Sequence, residues 1–114
     1  MKTALFVFND DPMCFIHVLL NALDLHAHEQ EVRVIMEGAS VTLVPQVVAP
    51  DHPLTHLFAQ VRDKGLLDGA CRACAVKLGV AKDIEATGIA LVGDMNGHPS
   101  MRGYMDQGFQ VITF

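Results

Sequence analysis

Short apolar segments alternate with helical segments along the chain, and this alternation limits the possible folds more than any other feature. The first segment, Thr3 to Phe8, is a nearly continuous run of apolar residues and strong strand formers. Such a run is typical of a strand buried on both faces, as in a parallel sheet. Asp10 and Asp11 then offer a helix cap, and Pro12 suits the first helical position, where its missing N–H costs nothing. A helix is therefore predicted from Pro12 to about His28.

The same alternation continues to the end of the chain. Apolar residues at helical spacing from Leu54 to Val61 predict a helix that ends before Gly65. A short helix is predicted from Ser40 to Leu43, and we expect Pro45 and Pro50 to break the rest of that segment into a loop. The other predicted strands are Glu31–Met36, Leu67–Cys71, Ile89–Val92 and Phe109–Phe114, and the other helical segments are 73–78, 83–86 and 97–108.

Strands and helices that follow one another at such short intervals imply right-handed crossovers between parallel strands. We therefore predict an α/β fold, a three-layer sandwich with a mostly parallel sheet of about five strands and helices on both faces. The length of 114 residues corresponds to a single domain over residues 1–114. The hydrophobic fraction of 51% and the mean hydropathy of +0.31 are high for so small a domain. They indicate contacts between subunits, although a sheet covered on both faces would also use much of this apolar surface.

Charge and cysteine content narrow the class of protein. Eight basic and thirteen acidic residues give a formal charge of −5, and the basic residues are scattered, which argues against a nucleic-acid partner. The apolar run near residue 5 is too short for a signal sequence or a membrane span, so no membrane partner is expected. Three cysteines are too few for a secreted disulfide framework and indicate the cytoplasm. No phosphate-binding glycine motif is present, and no cofactor is expected.

Cys71 and Cys74 form a C-x-x-C pair at the predicted corner between the third strand and the following helix. In open α/β sheets, ligands bind at the carboxyl ends of the strands. The amino end of the helix and the neighbouring Arg72 both favour a thiolate, so an exposed and unusually acidic thiol is expected at Cys71. A structural role is the alternative, because cysteine is among the most buried residue types and the adjacent alanines show that the segment accepts small residues.

His98 is the histidine best placed to act together with this pair. It lies between Gly97 and Pro99, at a predicted helix entrance after the fourth strand. It is therefore expected at the same edge of the sheet as Cys71. At that edge it serves as a proton donor or orients a bound group, or else it only caps the helix.

A zinc site is the second hypothesis for the cysteines. Cys14 and His17 follow the first strand at a spacing that zinc ligands use, and with Cys71 and Cys74 they would make a set of three cysteines and one histidine. His98 is a further candidate ligand. Cys14 also fits ordinary helix packing, which is the simpler interpretation of that residue.

The order of these motifs resembles the DsrE family of small sulfur-relay proteins. The matching segments are Phe-Asn-Asp-Asp-Pro at 8–12, Val-Arg-Val-Ile-Met followed by Glu37-Gly38, the cysteine at the end of the third strand with Gly79-Val80 after the next helix, and Phe-Gln-Val-Ile-Thr-Phe at 109–114. The likeness covers nearly the whole chain. It implies a parallel sheet sandwiched by helices.

The resemblance also implies a function. In active members of the family, a persulfide forms on the cysteine at the third-strand corner, which corresponds to Cys71, and the chains assemble into oligomers, often trimers or hexamers. The leading hypothesis is a cytoplasmic sulfur carrier or sulfurtransferase that takes sulfane sulfur from a donor protein and passes it to an acceptor protein. Cys74 would assist or resolve, and His98 is the third candidate catalytic residue. The alternatives are the metal site and an oligomeric module without catalysis.

Overall fold

The computed structural model describes all 114 residues and contains a five-stranded sheet in the order β4-β3-β2-β1-β5. Every pair of neighbouring strands is parallel. The strands are β1 (Lys2–Val7), β2 (Glu31–Met36), β3 (Leu67–Cys71), β4 (Leu91–Val92) and β5 (Gln110–Thr113). The predicted α/β fold is confirmed, the sheet is parallel throughout, and β4 is shorter than predicted.

Six α-helices and one 3₁₀ helix connect the strands. They are α1 (Pro12–Ala27), the 3₁₀ helix (Gly38–Leu43), α2 (Val44–Val47), α3 (Thr55–Asp63), α4 (Arg72–Lys77), α5 (Ala81–Ala86) and α6 (Met101–Asp106). α1 begins where the sequence predicted, because the Asp11 carboxylate accepts the backbone N–H of Met13 at 2.9 Å and caps the helix. None of these helices combines the length and the apolar character needed to cross a bilayer.

Besides the short β4, the main departures from the predicted elements are in the segment after β2 and at the start of the last helix. The 3₁₀ helix begins at Gly38, before Ser40, and α2 follows it directly. Pro45 does not break α2, because it lies in the first turn of that helix, where its missing N–H is not needed. The last helix begins only at Met101, since the Ser100 side chain is its cap and accepts the backbone N–H three residues on.

The two faces of the sheet are covered unequally. The larger core contains 22 buried residues and lies between one face and helices α1 to α5. Phe15 of α1 and Phe58 of α3 meet there with ring centroids 6.2 Å apart. Each fully buried side chain of this size stabilises the fold by about 1.5–3 kcal/mol relative to an exposed one. The opposite face has a smaller cluster, formed by Ala4, Phe6, Ile35 and Phe109, which packs against α6.

Tyr104 fixes α6 to this second face. Its ring packs edge-to-face against Phe6 and Phe109, at centroid distances of 5.5 Å and 5.6 Å. Its hydroxyl donates a hydrogen bond to the Asp68 carboxylate of β3. Burial raises the pKa of the Tyr104 phenol, and the bond to Asp68 adds to this. The phenol therefore stays protonated and joins α6 to β3.

The strand order determines which residues meet at the carboxyl edge of the sheet. Since all strands are parallel, the segments that follow them leave from the same edge. β2 lies between β1 and β3, so the residue after β2, Glu37, is a closer neighbour of Cys71 than are the residues that follow β1.

Candidate active site

Cys71 is both the last residue of β3 and the N-cap of α4. Its sulfur accepts the backbone N–H of Cys74 at a donor–acceptor distance of 3.4 Å, in the way that a serine oxygen caps a helix. The predicted strand-to-helix corner is therefore confirmed. Cys71 is 0% exposed, whereas Cys74, one turn further along α4, is only half-buried.

His98 is presented by a tight turn between β4 and α6. Asn96 and Gly97 both have positive φ, 52° and 85°, and Met95 and His98 exchange two backbone hydrogen bonds of 2.8 Å and 2.9 Å. Asn-Gly suits such a two-residue turn because both residues tolerate positive φ. The Gly97 carbonyl then accepts the backbone N–H of Ala73 at 2.9 Å, which holds the turn against α4.

Gly93 allows this turn to fold back on the chain. A β-carbon at this position would lie 2.3 Å from the backbone oxygen of Gly97, so no larger residue fits without a shift of the backbone. The Gly97 oxygen also lies 3.6 Å from the Cys71 sulfur and accepts its S–H. The turn is thus fixed relative to both the strand end and the thiol.

The structure brings the three predicted residues together: the sulfurs of Cys71 and Cys74 both lie close to Nδ1 of His98. This nitrogen lies 3.2 Å from the sulfur of Cys71 and 3.7 Å from the sulfur of Cys74. The His98 side chain is 39% exposed, so it connects the buried thiol with the surface. Either thiol is close enough to exchange a proton with the same imidazole.

Glu37 completes the cluster and is not among the residues predicted from the sequence. Its carboxylate lies 3.3 Å from His98 Nδ1, and its side chain is only 11% exposed. Its backbone N–H donates to the Val7 carbonyl at 2.8 Å and to the Ser40 hydroxyl at 3.1 Å. Burial raises the pKa of the Glu37 carboxyl, and His98 opposes this rise. Its position, immediately after a buried strand, is the signal that identifies it in the sequence.

The environment of Cys71 makes its thiol less acidic than an ordinary one. Burial raises its pKa to about 11, Cys74 and Glu37 also raise it, and the backbone N–H of Cys74 acts in the opposite direction. The expectation of an exposed, unusually acidic thiol at Cys71 is therefore wrong for this chain. The helix amino end is present, but the loss of solvation outweighs its effect.

The cluster that the structure assembles differs from the predicted zinc set. The ligand atoms of Glu37, Cys71, Cys74 and His98 all lie within 4.8 Å of one another. Cys14 and His17 do not belong to this cluster. Both are on α1, which follows β1, and β2 separates that strand from β3.

A shallow recess of about 380 Å³ lies beside the cluster. Glu37 is one of its lining residues, and Phe8, Met95 and Met101 give it apolar walls. Met95 is 51% exposed, so part of this apolar surface faces solvent. The recess offers contact area for a group that approaches the cluster from the side of Glu37.

Comparison with known proteins supports the architecture. The model of the DsrE/DsrF-like family matches residues 2–114. An uncharacterized protein of Methanocaldococcus jannaschii is 32% identical over 118 aligned positions, which cover 98% of this chain and 94% of that protein. A second uncharacterized protein, from Archaeoglobus fulgidus, is 41% identical over 44 positions, 39% of this chain and 70% of its own length.

A solved structure has the same fold. It is a conserved protein of unknown function from Bacteroides thetaiotaomicron, with a TM-score of 0.72 and 20% sequence identity. The match covers 99% of this chain and 95% of that one. At this identity the likeness describes the fold and leaves the chemistry to be argued from the site.

Proposed function

The chain belongs to the DsrE/DsrF-like family, and on this premise we propose that it relays sulfane sulfur as a persulfide on Cys71, with Cys74 and His98 as partners. The observation that supports this most is the position of His98 Nδ1, 3.2 Å from one thiol and 3.7 Å from the other. One imidazole therefore serves as the proton acceptor and donor for both sulfurs.

Cys74 is the thiol that meets the sulfur donor, because it is half-buried while Cys71 is 0% exposed. The Cys74 thiolate, its proton taken by His98, attacks the outer sulfur of a donor persulfide, R–S–SH. The donor S–S bond breaks, and the donor leaves as a thiolate that recovers the proton from His98. Cys74 then holds the transferred sulfur as Cys74–S–SH.

A second transfer moves the sulfur inward to Cys71. Cys71 gives its proton to His98, and its thiolate attacks the outer sulfur of the Cys74 persulfide. The Cys74 S–S bond breaks, Cys74 leaves as a thiolate, and it is protonated by His98. The product is a persulfide on a thiol that solvent does not reach. The two sulfurs lie within 4.8 Å of each other, and because the attack is intramolecular this proximity compensates for the weak acidity of Cys71.

Mass spectrometry of the reduced, metal-free chain tests this mechanism. After treatment with glutathione persulfide and a brief wash with a small thiol, the wild type should retain one added sulfur atom on Cys71. Cys71→Ser should acquire sulfur on Cys74 and lose it during the wash, and Cys74→Ser should be labelled slowly. Cys14→Ser is the matched control and should behave as the wild type, because Cys14 is half-buried but outside the cluster.

Two outcomes contradict the proposal. If the wild type acquires no sulfur from glutathione persulfide, the relay hypothesis is refuted. Equal retention in Cys71→Ser and the wild type would show that Cys71 does not hold the sulfur.

We further propose that the chain forms a trimer or hexamer and exchanges sulfur with donor and acceptor proteins in the cytoplasm. Val76 and Leu78, next to the cysteine pair on and just after α4, are 65% and 47% exposed, which suits contact with another chain. The three free cysteines suit a reducing compartment. Sedimentation velocity at micromolar concentration should show species of three or six chains, and a monomer at all concentrations would contradict this assembly.

A further inference from the structure

We infer that the cluster of Cys71, Cys74, His98 and Glu37 binds a divalent metal of the zinc class. The four residues come from three separate parts of the chain, the end of β2, the corner between β3 and α4, and the turn before α6. Their ligand atoms lie within 4.8 Å of one another. The inference concerns a second use of the same residues and does not depend on sulfur relay.

The distances from His98 Nδ1 to the other ligand atoms are close to those around a tetrahedral zinc ion. With bonds of about 2.3 Å to sulfur and about 2.0–2.1 Å to nitrogen and oxygen, a tetrahedral ion separates sulfur from nitrogen by about 3.6 Å and nitrogen from oxygen by about 3.4 Å. Nδ1 of His98 lies 3.2 Å and 3.7 Å from the two sulfurs and 3.3 Å from the Glu37 carboxylate. These three distances need adjustments of a few tenths of an ångström, and the other pairs of ligand atoms, which lie within 4.8 Å, need to close by up to about 1 Å around an ion.

The types of ligand also favour zinc. Two cysteines and one histidine are a set that zinc enzymes use, and a carboxylate completes four-coordination. Binding of Zn²⁺ releases the two thiol protons to solvent, so the ion gains two thiolates, a neutral imidazole and a carboxylate. Hard cations such as Mg²⁺ prefer oxygen ligands and do not suit this set.

The surrounding hydrogen bonds hold the ligands in place before any ion arrives. Cys71 caps α4 and accepts the N–H of Cys74, and the Glu37 backbone is bound by Ser40. The Gly97 carbonyl is held by α4, which fixes the position of His98. Such outer contacts orient ligands and strengthen binding.

Titration calorimetry with zinc sulfate tests the inference on the reduced, full-length protein after removal of metal with a chelator. One equivalent of zinc per chain is expected, and cobalt in its place should give the absorption of a thiolate-bound, tetrahedral ion. Cys71→Ser, Cys74→Ser, His98→Ala and Glu37→Gln each alter a ligand and should each weaken zinc binding by at least about tenfold, the lower limit for changes to mere outer contacts of a metal site. Cys14→Ser and His17→Ala are the matched controls and should bind as the wild type.

Circular dichroism shows whether each variant is folded, so that a loss of zinc binding is not confused with a loss of structure. Serine retains the cap at position 71, and His98 is 39% exposed, so folded variants are expected at both positions. Binding well below one equivalent, or equal affinity in the wild type and the His98→Ala and Cys74→Ser variants, would overturn the metal site. Sulfur labelling is measured separately with chelator present, so failure of the relay and failure of the metal site are distinguishable.

Discussion

The low acidity of Cys71 leads to a quantitative prediction about its reactivity. A pKa of about 11 instead of 9.0 corresponds to about 2.7 kcal/mol that disfavours the thiolate, at about 1.36 kcal/mol for each pKa unit. At pH 8 the thiolate fraction of Cys71 is therefore about one in a thousand, against about one in ten for a thiol with the ordinary value of 9.0. Alkylation, which requires the thiolate, should be at least about a hundredfold slower in the native protein than in urea.

Alkylation with iodoacetamide, followed by peptide mass spectrometry, measures this rate for Cys71 between pH 7 and pH 10. The native rate should rise about tenfold per pH unit throughout, because the thiol remains mostly protonated. Limited access lowers the rate equally at every pH, so the shape of the profile reports ionisation alone. Glu37→Gln removes a charge that raises the pKa of Cys71 and should move the profile to lower pH. Glu85→Gln, a surface change on α5, should not.

A native Cys71 profile that levels off below pH 9, or an alkylation rate at pH 8 equal to the rate in urea, would refute the raised pKa of this thiol. Slow alkylation alone also fits a purely structural cysteine. The persulfide experiment separates that alternative from a protected carrier, since only the carrier acquires sulfur on Cys71 by way of Cys74.

Three further predictions concern stability. Gly93→Ala should lower the free energy of unfolding, measured by urea titration, by about 1–3 kcal/mol, because the new β-carbon would lie 2.3 Å from a backbone oxygen. Gly103→Ala is the control. Its β-carbon would lie 3.7 Å from the nearest atom, so this change should be neutral or stabilise the protein by up to about 1 kcal/mol. The raised pKa of Glu37 means that the fold favours its protonated form, so the stability it contributes is present below pH 4.5 and lost as the pH rises. Glu37→Gln should therefore melt at a higher temperature than the wild type at pH 7, and a difference that does not narrow toward pH 4.5 would contradict this. Tyr104→Phe should lower the free energy of unfolding by about 0.5–1.5 kcal/mol, since the Asp68 carboxylate loses a part-buried donor but keeps Arg33 as a partner. An unchanged urea midpoint would show that this bond is not needed.

The sequence was sufficient to predict the fold because the local signals for strands and helix ends agree with the alternation of strands and helices along the whole chain. The apolar run of β1 and the cap and proline that follow it predict a strand and a helix at their observed places. The helical content between β2 and α3 could not be predicted in the same way. A proline disrupts the interior of a helix but is harmless in the first turn. Pro45 lies in the first turn of α2, and this position depends on where the preceding 3₁₀ helix ends.

The candidate site was only partly predictable for a geometric reason. The pattern shows which residues follow each strand, and this was enough to bring His98 to Cys71. It does not show the order of the strands. β2 lies between β1 and β3, and neighbouring strands are about 4.8 Å apart. Cys14 therefore follows a strand two places away from that of Cys71, whereas Glu37 follows the adjacent strand. Burial of Cys71 likewise depends on tertiary contacts that no local motif reveals.

The Asn96–Gly97 turn carries the imidazole of this site on a different segment from the sulfur atoms. His98 belongs to the segment between β4 and α6, whereas Cys71 is part of the buried sheet. The Gly97 carbonyl nevertheless accepts both the Ala73 N–H and the Cys71 S–H. The turn and the C-x-x-C corner are therefore mutually dependent: a change at His98 alone removes the imidazole, whereas a change in the turn itself also disturbs the corner.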